Sequence, residues 1–289
     1  MPVHLFSGFF NVARNPVTNR HIPSLRRARA KVKVTPHPRA LVTAPDMANL
    51  AWQRSFGSGR MIDLYFWPTP NGWKVSICLE EMGLPYRTHL IDITRGDQRS
   101  EAFLKLSPNG RMPAITDPDG PDGDPISIFE SGAILQYLAR KTGQFCGRTE
   151  RERIAVDQWL MWQMGGLGPM AGQAHHFLKY APNMDPPNDL PYAKDRYRNE
   201  TARLYGVMDR QLAQHQYLAG DFYSIADMAC WGWASLWEGQ QQTLDDKPHL
   251  ARWLADVSAR PGVQAGRALH AEKRPDAKAG ARSEMFRKG

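Results

Sequence analysis

The amino-acid sequence predicts an α/β domain followed by an all-helical domain. Three observations support this prediction. Strand and helix patterns alternate from Met61 to about residue 143, residues 143–149 have the character of a linker, and only helical patterns follow residue 150. The chain of 289 residues is long enough for two domains, which we place at residues 61–143 and 150–272.

The first domain is predicted in the order βαβαββα. Alternating apolar residues predict four strands, at residues 62–66, 86–93, 112–116 and 126–129. Helical spacing predicts three helices, at residues 73–82, at 101–106 and from 130 onward. The turn-rich residues 117–124 are expected to join the last two strands as a hairpin.

The second domain contains only helical patterns. The spacing predicts helices at residues 154–164, 193–212 and 250–257, with a proline-rich stretch between the first two. Another helix is predicted to begin at a capping box. In that motif the hydroxyl of Ser224 accepts from the backbone N–H of Asp227, while the carboxylate of Asp227 reaches back.

Residues 1–60 hold ten Lys or Arg against one acid, whereas the whole chain has a net charge of +8. They show no sustained apolar period, so we expect a disordered basic leader. Three explanations stay open: an upstream start codon that adds a non-native leader, a transit peptide, and a nucleic-acid-binding arm. The nearly neutral remainder gives the arm no support, so no nucleic-acid partner is expected. Residues 273–289 are predicted to be a flexible tail.

The composition argues against a membrane span, against structural disulfides and against a metal site. No apolar run is long enough to span a membrane, and the N-terminus lacks a secretory signal. Cys78, Cys146 and Cys230 lie far apart without metal spacing, so we expect reduced thiols and a cytoplasmic location. His175 and His176 are adjacent on a predicted helix, point in different directions and cannot share one ion.

Four stretches carry a family resemblance: YFWPTPNG at 65–72, FESGAIL at 129–135, GGLGPMAGQAHHF at 165–177 and YSIAD at 223–227. In this order they resemble the bacterial Nu-class of the cytosolic glutathione transferase superfamily. The resemblance covers residues 61–267. It implies a thioredoxin-like half that binds glutathione, a helical half that completes the site, and a homodimer. It also implies reduction of disulfides with glutathione more than conjugation.

Thr69 and Asn71 are the predicted thiol-side residues. They lie in the turn before the first helix, whose N-terminus adds partial positive charge. A hydroxyl and an amide there would stabilise the thiolate of glutathione by hydrogen bonds. The alternative is a plain turn in which Asn and Gly serve only the backbone geometry.

The resemblance also assigns the backbone of glutathione. Pro113 is expected to follow a cis bond, so that Met112 pairs its N–H and C=O with the cysteinyl unit; an ordinary edge-strand proline is the alternative. Ser131, at a helix start, would take the γ-glutamyl carboxylate while Glu130 takes the ammonium. The alternative makes Ser131 a helix N-cap and Glu130 an acid that complements the helix dipole.

Further positions follow from the resemblance alone. Gln98 matches a contact to the glycyl end, and Arg111 could add charge there unless it is simply solvated. Gln158 and Arg196 match positions that reach across a dimer interface; the alternatives are ordinary exposed helix residues. The stretch with His175 and His176 is expected to shape the second-substrate pocket and a helix bend. Trp67 and Trp73 flank the proposed thiol site in sequence, so one or both are candidates for the wall of that pocket.

Cys78 is predicted to be buried and inert, so redox chemistry would use the thiol of glutathione itself. The predicted function is a glutathione-dependent disulfide reductase or glutathione transferase, with peroxide reduction left open. The alternative is a non-catalytic relative that acts in binding or stress. The presence of Thr69, Asn71, Glu130 and Ser131 argues against that alternative.

Overall fold

The computed structural model describes residues 61–274. The predicted leader, residues 1–60, and the predicted tail beyond residue 274 lie outside the described residues. Arg274, which we assign to the tail, lies with its guanidinium 4.8 Å from the centre of the Trp73 ring. The described residues therefore include the first two positions of the predicted tail.

Four strands form one mixed sheet in the first half: β1 Ile62–Phe66, β2 Tyr86–Leu90, β3 Ala114–Asp117 and β4 Ile126–Phe129. The strand order is β2-β1-β3-β4, with β1 parallel to β2 and antiparallel to β3. Two predicted strands are too long. A turn in which Asp92 accepts from the backbone N–H of Thr94 ends β2 early, and Pro113 has no N–H for the ladder, so β3 begins at Ala114.

Helices complete both halves, and the architecture confirms the predicted α/β half followed by an all-helical half. The helices are α1 Pro70–Met82, α2 Glu101–Leu106, α3 Ser131–Thr142, α4 Glu150–Trp162, α5 Gly168–His175, α6 Pro191–Leu212, α7 Ile225–Ala234, α8 Pro248–Ser258 and α9 Pro261–Ala268. Helix α4 begins four residues before the prediction because Thr149 and Glu152 form a capping box. Short π-helical turns flank α5, where a bend was predicted.

The capping box at the start of α7 is confirmed. The hydroxyl of Ser224 accepts a 3.3 Å bond from the N–H of Ala226, one residue before the predicted donor. The buried carboxylate of Asp227 accepts from the N–H of Ser224 at 3.0 Å, as predicted. The same carboxylate accepts from the indole of Trp253 at 2.9 Å, which ties α7 to α8. The start of α7 is therefore fixed by a buried carboxylate whose two oxygens both accept hydrogen bonds.

Helix α1 lies at the centre of the protein and packs against α3, α7 and α9. The close approach of α7 and α9 to α1 depends on a glycine in each of these two helices. A Cβ on Gly232 of α7 would lie 2.6 Å from the carbonyl oxygen of Pro70, and a Cβ on Gly266 of α9 would lie 2.5 Å from the nitrogen of Ile77. The helical half thereby packs tightly against α1 both at its first turn and at Ile77.

Candidate active site

A cleft of about 610 Å³ lies where the N-termini of α1 and α3 face the bend around α5. It brings together seven of the predicted residues: Thr69, Asn71, Arg111, Met112, Pro113, Glu130 and Ser131. These residues come from three separate loops of the α/β half. The opposite wall comes from the helical half, so the cleft needs both halves of the chain.

Thr69 is the N-cap of α1. Its Oγ1 accepts from the backbone N–H of Gly72 at 3.3 Å and donates to the sulfur of Met112 at 3.6 Å. The hydroxyl proton therefore already points at a sulfur inside the cleft. A thiolate would be a much stronger acceptor than this thioether.

Asn71 lies in the first turn of α1 and is oriented by a residue that the sequence did not reveal. The indole Nε1 of Trp233 donates to Oδ1 of Asn71 at 3.0 Å. Because an indole nitrogen can only donate, this bond assigns the oxygen of the Asn71 amide and leaves its NH₂ as the donor on the other side. Trp233 itself lines the cleft.

The Met112–Pro113 peptide bond is cis, as predicted. Met112 is half-buried on the cleft wall, and Arg111 beside it is exposed. The three residues 111–113 thus follow one another along the side of the cleft that faces Thr69. The pairing of the Met112 backbone with a ligand stays a prediction.

Glu130 and Ser131 form the turn between β4 and α3. Glu130 has a φ of 68°, a left-handed conformation that is uncommon for a residue with a side chain, and such conformations concentrate at functional sites. The structure also corrects one alternative. Glu130, not Ser131, occupies the N-cap position, and its side chain makes no capping bond. Ser131 begins the helix with its hydroxyl on the cleft wall.

A buried lysine lies beneath Ser131. The side chain of Lys74 is 1% exposed, and its Nζ donates to Oε1 of Gln163 at 2.9 Å and to Oγ of Ser131 at 3.5 Å. Burial lowers the pKa of Lys74 to about 7, although Cys230 and Glu130 favour its charged form. The sequence carries one signal for it, a lysine among the apolar residues at the start of a helix.

The part of the cleft wall that comes from the helical half includes His175, His176, Tyr180 and Arg274. Burial lowers the pKa of His175 to about 4 and raises the pKa of Tyr180. Both histidines therefore line the cleft, in the region predicted to shape a second-substrate pocket. Within residues 61–274 no three His, Cys, Asp or Glu side chains are grouped to hold a metal ion.

The expectation that Trp67 and Trp73 wall this pocket is wrong. Both are buried, and neither lines the cleft. Trp73 points back from the helix start and packs under the guanidinium of Arg267 at 3.8 Å. Trp233 from α7 takes the place on the cleft wall that we predicted for them.

Three predicted residues lie outside the cleft. Gln98 is 2% exposed in the loop after β2, and its amide has no hydrogen-bond partner among the described residues. Gln158 on α4 and Arg196 on α6 are exposed. None of the three is among the residues that line the cleft of this chain. Their contacts with a ligand stay predictions.

The protein's own thiols are poorly placed for chemistry. Cys78 and Cys230 are fully buried, and burial raises the pKa of each thiol well above its usual range. Cys146 is half-buried and, like the other two, forms no disulfide. None of the three lines the cleft. A thiolate nucleophile in this cleft must therefore come from a ligand.

Fold and cleft together define a class: a thioredoxin-like sheet joined to a helical half, with two helix N-termini facing one cleft. Two family models match the chain, the N-terminal domain of glutathione S-transferase over residues 69–141 and its C-terminal domain over residues 171–261. No helix of residues 61–274 combines the length and apolar character needed to cross a membrane.

Similar proteins cover the same region. Disulfide-bond oxidoreductase YfcG of Escherichia coli is 49% identical over 210 residues, covering 72% of this chain and 94% of that protein. Disulfide-bond oxidoreductase YghU of the same organism is 39% identical over 228 residues, covering 74% of this chain and 76% of that protein. Solved structures of glutathione transferases from Pseudomonas putida, with glutathione disulfide bound, and from Burkholderia graminis, with two glutathione molecules bound, are both 41% identical.

The Pseudomonas putida structure matches with a TM-score of 0.69 over 77% of this chain and 97% of its own, and the Burkholderia graminis structure with 0.67 over 77% and 94%. The identities and the coverage show the family as well as the fold. The chain belongs to the glutathione S-transferase family.

Proposed function

We propose that this protein reduces small disulfides with glutathione and that the thiol of glutathione is the nucleophile. The observation that carries the proposal is the convergence of the Thr69 hydroxyl and the Asn71 amide at the N-terminus of α1, in a cleft without a protein thiol. Relatives named disulfide-bond oxidoreductases and similar structures with bound glutathione or glutathione disulfide support the same chemistry.

Glutathione is proposed to lie along the wall that runs from Ser131 to Thr69. Its γ-glutamyl carboxylate would meet the hydroxyl of Ser131 and the start of α3, while the carboxylate of Glu130 would meet the ammonium. The backbone of Met112 would pair with the cysteinyl unit. Arg111 and Gln98 are proposed for the glycyl end, which for Gln98 requires a shift from its buried position.

The reaction is thiol–disulfide exchange in two steps. The glutathione thiolate attacks one sulfur of the substrate, so that a glutathione–substrate disulfide forms and the other half leaves as a thiolate, which takes up a proton. A second glutathione thiolate attacks the glutathione sulfur of that mixed disulfide and releases the second thiol. Two glutathione molecules are oxidised to one glutathione disulfide, and one substrate disulfide is reduced to two thiols.

The protein is also proposed to be a homodimer that acts in the cytoplasm, with domains at residues 61–143 and 150–272. Gln158 and Arg196 are exposed and do not line the cleft of their own chain, so their predicted role needs a second subunit. Free cysteines at all three positions support a reducing compartment.

The direct test is an assay with glutathione and bis(2-hydroxyethyl) disulfide in which both products are quantified. We expect one glutathione disulfide for every two molecules of 2-mercaptoethanol, at a rate that depends on the protein and saturates with glutathione. A rate equal to the uncatalysed exchange would refute the proposal. Hydrogen peroxide in place of the disulfide tests peroxide reduction in the same assay.

A further inference from the structure

Lys74 lies beneath Ser131 and has no role among the glutathione contacts proposed above. Lys74 lies one turn into α1, and its Nζ is enclosed by Ser131 of α3 and by Gln163 and Met164 of the π-helical turn after α4. Two of these neighbours, Ser131 and Met164, line the cleft from the other side. A single layer of side chains therefore separates the lysine from the ligand space.

The positive charge of Lys74 is not paired with a carboxylate anywhere in residues 61–274. Among the described residues no carboxylate forms a salt bridge with it, and its hydrogen-bond partners are an amide oxygen, a hydroxyl and a thioether. A buried ammonium without a counter-ion is costly, and such a group becomes favourable when a ligand supplies the opposite charge. The structure thus holds a basic group that a bound anion would complete.

The hydrogen bond from Lys74 to Ser131 determines which way the hydroxyl proton of Ser131 can point. An ammonium can only donate, so the bond from Nζ occupies a lone pair on Oγ of Ser131 and leaves the hydroxyl proton for another acceptor. That acceptor in the free protein is the sulfur of Met164, 3.8 Å away and on the cleft wall. A carboxylate at the start of α3 would be a stronger acceptor, and the bond from Nζ would polarise the hydroxyl toward it.

We propose that Lys74 is a positioning residue for the γ-glutamyl carboxylate of glutathione, acting through the hydroxyl of Ser131 as the buried positive charge of that subsite. This inference rests on the proposed function, since it assumes that glutathione occupies the cleft. It adds a role for the lysine and for Gln163, whose Oε1 fixes the ammonium from the helical half. The subsite consequently joins both halves of the chain.

The groups facing Lys74 set the expected dependence on pH. Cys230 approaches from α7 with a thiol whose pKa is raised by burial, Glu130 contributes charge from the start of α3, and Gln163 and Met164 do not titrate. With a pKa of about 7 in the free protein, Lys74 is mostly protonated at pH 6 and mostly neutral at pH 8.5. Because a carboxylate favours the protonated form, binding should weaken about 10-fold over this range.

The test measures binding of S-methylglutathione, which has no ionisable thiol, by calorimetry at pH 6.5. Two analogues separate the charges: a γ-aminobutyryl analogue that lacks the carboxylate and a glutaryl analogue that lacks the ammonium. Lys74→Met should weaken the binding of S-methylglutathione and of the glutaryl analogue roughly 5- to 30-fold. It should weaken the binding of the aminobutyryl analogue less than about 2-fold. Lys247→Met is the matched control, since it removes a buried lysine that does not line the cleft and should change the binding of none of the three ligands.

Equal losses for all three ligands would mean that Lys74 only supports the fold, and the inference would fall. If the wild type does not bind S-methylglutathione, the proposed function fails instead. Should Lys74→Met not fold, the titration of Lys74 in the wild type, followed by NMR of ¹³Cε-labelled lysine, provides the second measurement. Its midpoint should rise by at least about one pH unit with S-methylglutathione and stay unchanged with the aminobutyryl analogue. An unchanged midpoint with both would contradict the inference.

Discussion

The indole of Trp233 and the amide of Asn71 are joined by a 3.0 Å hydrogen bond across the boundary between the helical half and the α/β half. The bond is possible because Gly232, the preceding residue, lets α7 touch the carbonyl of Pro70 at the start of α1. The helical half therefore does more than wall the cleft: it decides which way a thiol-side donor points.

Replacing Trp233 by Phe keeps the ring and removes this donor. A neutral hydrogen bond contributes about 0.5–1.5 kcal/mol, so turnover should fall roughly 2- to 12-fold as the Asn71 amide loses its fixed orientation. The matched control is Trp231→Phe on the same helix, which removes a 2.9 Å bond to Ser258 away from the cleft. Steady-state kinetics with one disulfide should separate the two variants; equal losses would show that the effect is only structural.

Thr69→Ala and Asn71→Ala test the thiol-side donors themselves. A hydrogen bond to a charged group contributes about 1.5–3 kcal/mol, so each substitution should lower turnover roughly 10- to 150-fold. Thr69→Ser keeps both the hydroxyl and the helix cap and should retain most of the activity. Thr69→Ala also removes the N-cap, at a cost of about 1 kcal/mol in the free energy of unfolding, which thermal melting can measure separately.

Ser131→Ala should behave differently from both. Its hydroxyl lies at the start of α3, on the side of the cleft assigned to the γ-glutamyl end, and not beside the reacting sulfur. The loss should therefore be a raised KM for glutathione with kcat little changed. A fall in kcat at saturating glutathione would show that our placement of the tripeptide is reversed.

The oligomeric state is the next prediction. We expect light scattering at micromolar concentration to give twice the chain mass of 32.7 kDa. Arg196→Ala should then raise the KM for glutathione while the dimer mass is unchanged, because the exposed guanidinium is assigned to the partner's site. A monomer with full activity would remove any role for Gln158 and Arg196.

Local patterns predicted much of the fold. The capping motif at Ser224 depends on neighbours in sequence and was found where predicted. Helix α1, in contrast, begins at Pro70, three residues before its predicted start, because Thr69 caps it. Predicted boundaries were wrong where a side chain forms hydrogen bonds with the nearby backbone. Asp92 ends β2 earlier than predicted, and Thr149 starts α4 earlier than predicted. The cis bond at Pro113 followed from the family resemblance rather than from local physics.

The site was predictable only in part. Seven of the residues that the family resemblance implies meet in the cleft, where the fold brings their three loops together. Trp233 could not be predicted because its partner lies 162 positions away, and nothing local distinguishes it from the buried Trp231. Lys74 was missed for the same reason, since its environment comes from Ser131 and Gln163, which are distant in sequence.

The central claim is that glutathione, and no cysteine of the protein, supplies the reacting thiol. The most direct measurement is glutathione-dependent disulfide reduction by a cysteine-free protein that combines Cys78→Ala, Cys146→Ser and Cys230→Ala. Loss of two buried thiols leaves small cavities at a cost of about 1 kcal/mol each, so the assay belongs at 25 °C, with folding checked by circular dichroism.

We predict that the folded cysteine-free protein keeps turnover within about threefold of the wild type, because no protein thiol lines the cleft. Mass spectrometry of the wild type during turnover should correspondingly show no covalent glutathione adduct. A correctly folded cysteine-free protein without activity, together with an adduct on one cysteine of the wild type, would contradict the account.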